Sequence, residues 1–94
     1  MAGPISIRVT VTGKVQGVFY RATVRDWAAE LKIHGWVKNE PDGSVVAVIQ
    51  HMRQPVLDEM LKRMWQGPKG ALVLKLHSEK LENHLQYSEF SILR

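Results

Sequence analysis

Apolar and polar residues alternate without a break through Ile5-Ser6-Ile7-Arg8-Val9-Thr10-Val11, and most of them are β-branched. That period of two predicts a strand with one face buried. From about Tyr20 to Lys32 the period changes. Val24, Trp27, Ala28 and Leu31 fall at i, i+3, i+4 and i+7, one stripe of a helix, with Asp26 and Glu30 on the opposite, solvent side. Gly35 to Asn39 reads as a short strand, Glu40-Pro41-Asp42-Gly43 as a turn and Ser44 to Gln50 as a second strand, together a hairpin. Val56, Leu57, Met60, Leu61, Met64 and Trp65 predict a second amphipathic helix, whose exposed side offers Asp58 to Lys62 and Glu59 to Arg63 as acid-first i,i+4 pairs. Gly67-Pro68-Lys69-Gly70 stops that helix. Ala71 to His77 and Tyr87 to Leu93 predict two more strands.

The resulting order is βαββαβ with a C-terminal strand added. Two βαβ-like halves around a hairpin predict an α+β fold, a ferredoxin-like two-layer sandwich with an antiparallel sheet and both helices on one face. The chain of 94 residues suits one domain, residues 1–94, with no room for a second core. That scaffold supports many activities, so function has to come from particular residues.

Composition removes several classes of chemistry. There is no cysteine, hence no disulfide framework, no thiolate nucleophile and no Cys-ligated metal. A small domain without disulfides relies on its own core, which fits a reducing compartment. The N-terminus lacks the charged lead and long apolar segment of a signal peptide, and no apolar run is long enough to span a bilayer. The expectation is a soluble, cytoplasmic, monomeric domain with no membrane partner. A formal net charge of +4 favours anionic ligands through the field of the whole surface, although the basic residues are spread along the chain. His34, His51, His77 and His84 stand singly, without the i,i+4 spacing of a helical metal site, so no metal and no other cofactor is expected. Asp26/Glu30 and Asp58/Glu59 read as solvated carboxylates rather than an acid–base pair.

One segment stands apart. Gly13-Lys14-Val15-Gln16-Gly17-Val18-Phe19-Tyr20-Arg21 runs from a strand end into a helix start. A glycine-bearing loop at that junction can turn several backbone N–H groups toward one point, where they and the helix dipole cradle an anion. Arg21 would enter in the first helical turn with a fork of donors that matches two phosphate oxygens. Gly17 would permit the sharp backbone path. On spacing alone an ordinary βα loop with an exposed Arg21 explains the segment slightly better. Asn39, at the end of the first hairpin strand, reads alone as a turn cap. In this fold it can also lie near the βα loop, where its amide would hold a water facing a bound phosphate.

Gly13 to Arg21 resembles the first signature of the acylphosphatase family, a glycine followed by Val-Gln-Gly-Val and an aromatic-Arg ending. Gly35-Trp36-Val37-Lys38-Asn39 with Asp42-Gly43-Ser44-Val45 resembles the second. The two motifs occur in the right order and spacing, and the resemblance covers essentially the whole chain. It implies an enzyme, an acylphosphatase, that hydrolyses the carboxyl–phosphate bond of acyl phosphates to a carboxylate and inorganic phosphate without metal or covalent intermediate. By resemblance the backbone N–H groups of Gln16, Gly17, Val18, Phe19, Tyr20 and Arg21, with the Arg21 side chain, hold the phosphoryl oxygens, and Asn39 orients the attacking water. Three positions depart from the family pattern. Tyr20 replaces a more usual Phe and is expected to put a hydroxyl near the loop. Lys32 occupies a helix-end position where Gly is common. His51-Met52 replaces a small glycine-bearing turn.

Two rival readings differ in class. A non-catalytic phosphate- or carbamoyl-phosphate-binding module of the same fold also resembles this chain, as in the corresponding domain of hydrogenase-maturation proteins, which are much longer. A ferredoxin-like RNA-binding domain would need aromatic platforms on its central strands. Neither Ile5 to Val11 nor Ser44 to Gln50 carries an aromatic residue, so no nucleic-acid partner is expected.

Overall fold

A computed structural model describes residues 3–82 and 85–94. His84 therefore lies outside the described residues. The elements are β1 (Ile5–Lys14), α1 (Tyr20–Leu31), β2 (His34–Asn39), β3 (Val45–His51), α2 (Gln54–Gln66), β4 (Leu72–Leu81) and β5 (Phe90–Leu93). One sheet has the order β4-β1-β3-β2-β5. The ferredoxin-like architecture is as the hydrophobic pattern predicts.

The sheet is mixed rather than wholly antiparallel. β1 runs antiparallel to both β3 and β4, and β2 antiparallel to β3, but β5 lies parallel to β2. The reason is the path of the chain. β4 lies at one edge of the sheet and β5 at the opposite edge, so the chain changes edge between Leu81 and Phe90. Buried Gln50 clamps this crossing. Its side-chain amide donates to Ser6 Oγ at 2.9 Å and to the Leu85 carbonyl at 2.8 Å, while its Oε1 accepts from the Tyr87 N–H at 2.9 Å. The His34 Nδ1 lies 2.9 Å from the Tyr87 carbonyl beside it. β5 is accordingly shorter than the expected Tyr87 to Leu93, and β4 extends past His77 to Leu81.

Val9, Val11, Val37, Val45, Ala47 and Ile49 on the sheet meet Val24 and Ala28 of α1 and Leu57, Met60 and Met64 of α2 in one core. Val46 and Val48 on the opposite face of β3 are buried as well. β3 is the middle strand, and Thr10, Arg8, Lys38 and Trp36 flank these two valines on the neighbouring strands. A continuous apolar run in place of alternation is what a strand shielded on both faces requires.

The helices differ from expectation in details. α2 begins at Gln54, with Pro55 in its first turn. Trp65 is 52% exposed at the edge of the apolar stripe. Glu59 pairs with Arg63 at 2.8 Å, and Arg63 also reaches Glu30 of α1 at 2.8 Å, so Glu30 joins the helices instead of facing only solvent. Asp58 accepts from Gln54 at 2.9 Å in place of an ion pair with Lys62.

α1 ends on Lys32 in the left-handed conformation, φ 58° and ψ 40°, with its N–H bonded to the Ala28 and Ala29 carbonyls. A side chain at such a φ costs roughly 1–2 kcal/mol, part of which a glycine gives back through its freer unfolded chain. Lys32→Gly is therefore expected to stabilise the protein by about 1 kcal/mol, raising Tm in thermal unfolding by about 4–8 °C. Lys32→Ala, which keeps the Cβ, should give no such gain.

Candidate active site

β1, β2 and β5 all run in one direction, so their C-terminal ends meet at one end of the sheet. The loop after β1, Asn39 at the end of β2 and Arg94 just beyond β5 converge there around a cavity of about 300 Å³. It is lined by Val15, Gly17, Phe19, Tyr20, Arg21, Ala22, Asn39, Ile92 and Arg94.

The loop starts at a bulge. The β1–β4 register shifts between Thr12 and Gly13, and Gly13 has φ 125° with the Leu72 carbonyl packed where a side chain would begin. Gly17, at φ 74°, has open space around it, so conformation alone calls for glycine there. Phe19 precedes α1 at φ 60° and is 83% exposed. The helix has no side-chain cap and no acidic residue in its first turn. Among the described residues no protein group accepts a hydrogen bond from the backbone N–H of any residue from Gln16 to Ala22. The first internal bond of this end is Thr23 N–H to the Phe19 carbonyl at 3.0 Å, joined by the Thr23 hydroxyl at 2.9 Å. A row of free donors at the positive end of a helix favours a multiply charged anion.

Arg21 and Asn39, far apart in sequence, thus line the same cavity. Among the described residues Arg21 is in no ion pair, leaving its guanidinium free for a ligand. Asn39 is held by its pairing with Val45, two residues along from core Val37 and on the same face. Its Oδ1 is shut off from solvent and accepts no hydrogen bond. A buried acceptor left unsatisfied costs roughly 1–3 kcal/mol, so Asn39 is held here at the expense of stability.

Gln16 has a task that the spacing of the loop did not suggest. Its side-chain amide donates to the Glu40 carbonyl at 2.8 Å and the Ser44 carbonyl at 2.9 Å, tying the loop to the hairpin that carries Asn39. The turn is braced from within, because the Ser44 N–H and hydroxyl donate to Asp42 Oδ1 at 2.9 and 2.6 Å. Those bonds hold the Asp42 carboxyl below its ordinary value. Their stabilising contribution is present above the unfolded-state pKa and fades as pH falls through the lowered one. Val18 turns inward and packs against the core. Ile92 and Arg94 were not foreseen at the site; only the parallel pairing of β5 brings them there.

Tyr20 does not place its hydroxyl in the loop. The ring is buried and the hydroxyl donates to the Met64 carbonyl at 2.7 Å, satisfying a carbonyl near the C-terminus of α2 that has no partner within the helix. Burial holds the phenol above its ordinary value of 10.0. Because the folded pKa is the raised one, stability is full below the unfolded value and declines as pH rises beyond about 10. Tyr20→Phe is expected to cost about 1–3 kcal/mol in denaturant unfolding at neutral pH. It should also flatten the alkaline limb of the stability curve.

A two-layer α+β sandwich with an anion cradle at a strand–helix junction is thus the class that fold and site define. The family model described as Acylphosphatase matches residues 7–92. An acylphosphatase of Nitrosococcus oceani is 41% identical over 81% of this chain and 84% of its own. One of Rhizobium meliloti is 42% identical over 92% of this chain and 90% of its own. The solved acylphosphatase of Coxiella burnetii superposes with a TM-score of 0.89 at 38% identity, covering 96% of this chain and 93% of that one. The chain belongs to the acylphosphatase family. Full-length HypF, in a phosphate- and nucleotide-bound form, shares the fold alone, at 15% identity and a TM-score of 0.85 over 12% of its length.

Proposed function

We propose that residues 1–94 act as one acylphosphatase domain that hydrolyses the carboxyl–phosphate bond of acyl phosphates, with Arg21 and Asn39 as its catalytic residues. The observation that carries this reading is that Asn39 and Arg21, far apart in sequence, line the same cavity as the loop of unbonded backbone amides. Those two groups and the amides of Gln16, Gly17, Val18, Phe19, Tyr20 and Arg21 divide the labour. The amides and the guanidinium take the phosphoryl oxygens. The Asn39 side-chain amide orients a water whose lone pair faces phosphorus.

Acyl phosphates are activated anhydrides whose carboxylate leaves readily, so positioning and charge stabilisation account for most of the barrier to be lowered. Water oxygen bonds to phosphorus as the bond from phosphorus to the acyl oxygen breaks, and that electron pair departs on the carboxylate. The amides and guanidinium stabilise charge growing on the equatorial oxygens. An asparagine has no accessible pKa at neutral pH and cannot take the water's proton. The proton passes to a phosphate oxygen of the substrate or to solvent. A side-chain base would instead leave an enzyme pKa in the pH–rate profile that survives a change of substrate.

The proposal extends to a monomer working in the cytoplasm on small molecules, with no nucleic-acid or membrane partner and no cofactor. No helix among the described residues is long and apolar enough to cross a membrane. Benzoyl phosphate in buffer with a chelator tests the reading. Turnover at an undiminished rate is expected. Binding of phosphate without turnover would instead make the chain a non-catalytic binding module.

A further inference from the structure

The cavity is larger than a phosphoryl group requires. It encloses about 300 Å³, whereas a water molecule occupies roughly 30 Å³ of its liquid and a phosphoryl group has only four oxygens. The rest of the lining includes Val15, Phe19, Ala22 and Ile92, which are apolar, and Arg94. The parallel register pairs Val37 with Ile92 and Lys38 with Leu93, which brings Arg94 level with Asn39. Arg94 lies two residues past Ile92, so it shares the helix-bearing face with Ile92, Val37 and Asn39.

Two arginines therefore line one cavity, and no Asp or Glu side chain is among its lining residues. Among the described residues Arg94 has neither an ion pair nor a side-chain hydrogen bond. A ligand with one anionic group occupies Arg21 and leaves the Arg94 guanidinium without a partner. A ligand with anionic groups at both ends engages both. In the same lining, exposed Phe19 and Ile92 offer apolar contact suited to methylene groups. The planar fork of arginine matches a carboxylate in the two-pronged manner.

We propose that Arg94 is a specificity-determining residue that selects acyl phosphates whose short acyl chain ends in a carboxylate. The assignment rests on the acyl phosphate reading of the cavity and names the substrate class within it. The phosphoryl end occupies the amide cradle, the methylenes lie along Phe19 and Ile92, and the terminal carboxylate meets Arg94 at the mouth.

The test compares succinyl phosphate with isocaproyl phosphate, whose branched end has a similar shape and no charge. Wild-type protein is expected to favour succinyl phosphate in kcat/KM. In Arg94→Met the ratio of the two kcat/KM values should fall by about fivefold to tenfold, mostly through KM for succinyl phosphate. Arg94→Lys should recover part of the preference. An unchanged ratio in Arg94→Met overturns the assignment, whether both substrates are affected equally or neither is. Calorimetric binding of the methylene-bridged phosphonate analogues of the two substrates gives the same ratio without turnover. Wild-type protein that hydrolyses neither substrate but binds the succinyl analogue in an Arg94-dependent way refutes the hydrolase reading alone. Arg94-independent binding of both analogues refutes the Arg94 assignment alone.

Discussion

Arg21→Ala is expected to lose about 10³-fold or more in kcat/KM for benzoyl phosphate, the low end of what a transition-state arginine contributes in phosphoryl transfer. The guanidinium does two things in this site. It completes a cradle whose other members are the free amides around Gly17, and it balances charge spreading over the equatorial oxygens as the acyl carboxylate departs. Removal therefore harms the ground-state complex and the transition state alike, and inorganic phosphate should bind more weakly by calorimetry. Arg21→Lys keeps the positive charge but replaces a rigid fork by a single point, so it should recover little. A variant with lysine that matched wild type would mean that net charge alone, and not two-pronged geometry, accounts for Arg21.

Asn39→Ala should separate binding from turnover. The amide touches the water and leaves the phosphoryl oxygens to other groups, so phosphate affinity is expected to stay nearly intact. Turnover should fall by about 10²–10³, or about 2.7–4 kcal/mol, the scale for loss of one oriented polar group that acts at the transition state. The buried, unbonded Oδ1 makes this a sharp test, because truncation removes an unsatisfied acceptor and stability should not suffer for it. Equal damage to phosphate affinity and to kcat would remove Asn39 from the role of water holder.

Much of the fold was legible because periodicity reports burial. The alternation in β1 and the i, i+3, i+4, i+7 stripe in α1 both mark the faces that build the core. The special backbone positions were legible for a different reason. Gly17 needs its positive φ, and Lys32 holds a left-handed helix end despite carrying a side chain, as its departure from the family pattern suggested. What the sequence could not convey were contacts whose partners lie far along the chain. Gln16 looks like one more loop residue until its amide is seen bridging the Glu40 and Ser44 carbonyls. Gln50 looks like the last polar position of a strand, yet three hydrogen bonds through it route the chain to β5. Without that route β5 would not pair parallel to β2, and neither Ile92 nor Arg94 would reach the cavity. Tyr20 misled through its neighbours in sequence, since only the packing of α2 against α1 discloses the Met64 carbonyl as its partner.

The central claim is that one phosphoryl group sits between the Arg21 cradle and the Asn39 amide. A crystal structure with vanadate bound, whose five-coordinate geometry imitates phosphorus during displacement, tests it most directly. The account predicts equatorial oxygens on the Arg21 guanidinium and on the amides around Gly17, with an apical oxygen in hydrogen-bond reach of the Asn39 side-chain amide. Vanadate bound elsewhere, or held in the cradle with no oxygen near Asn39, would contradict it.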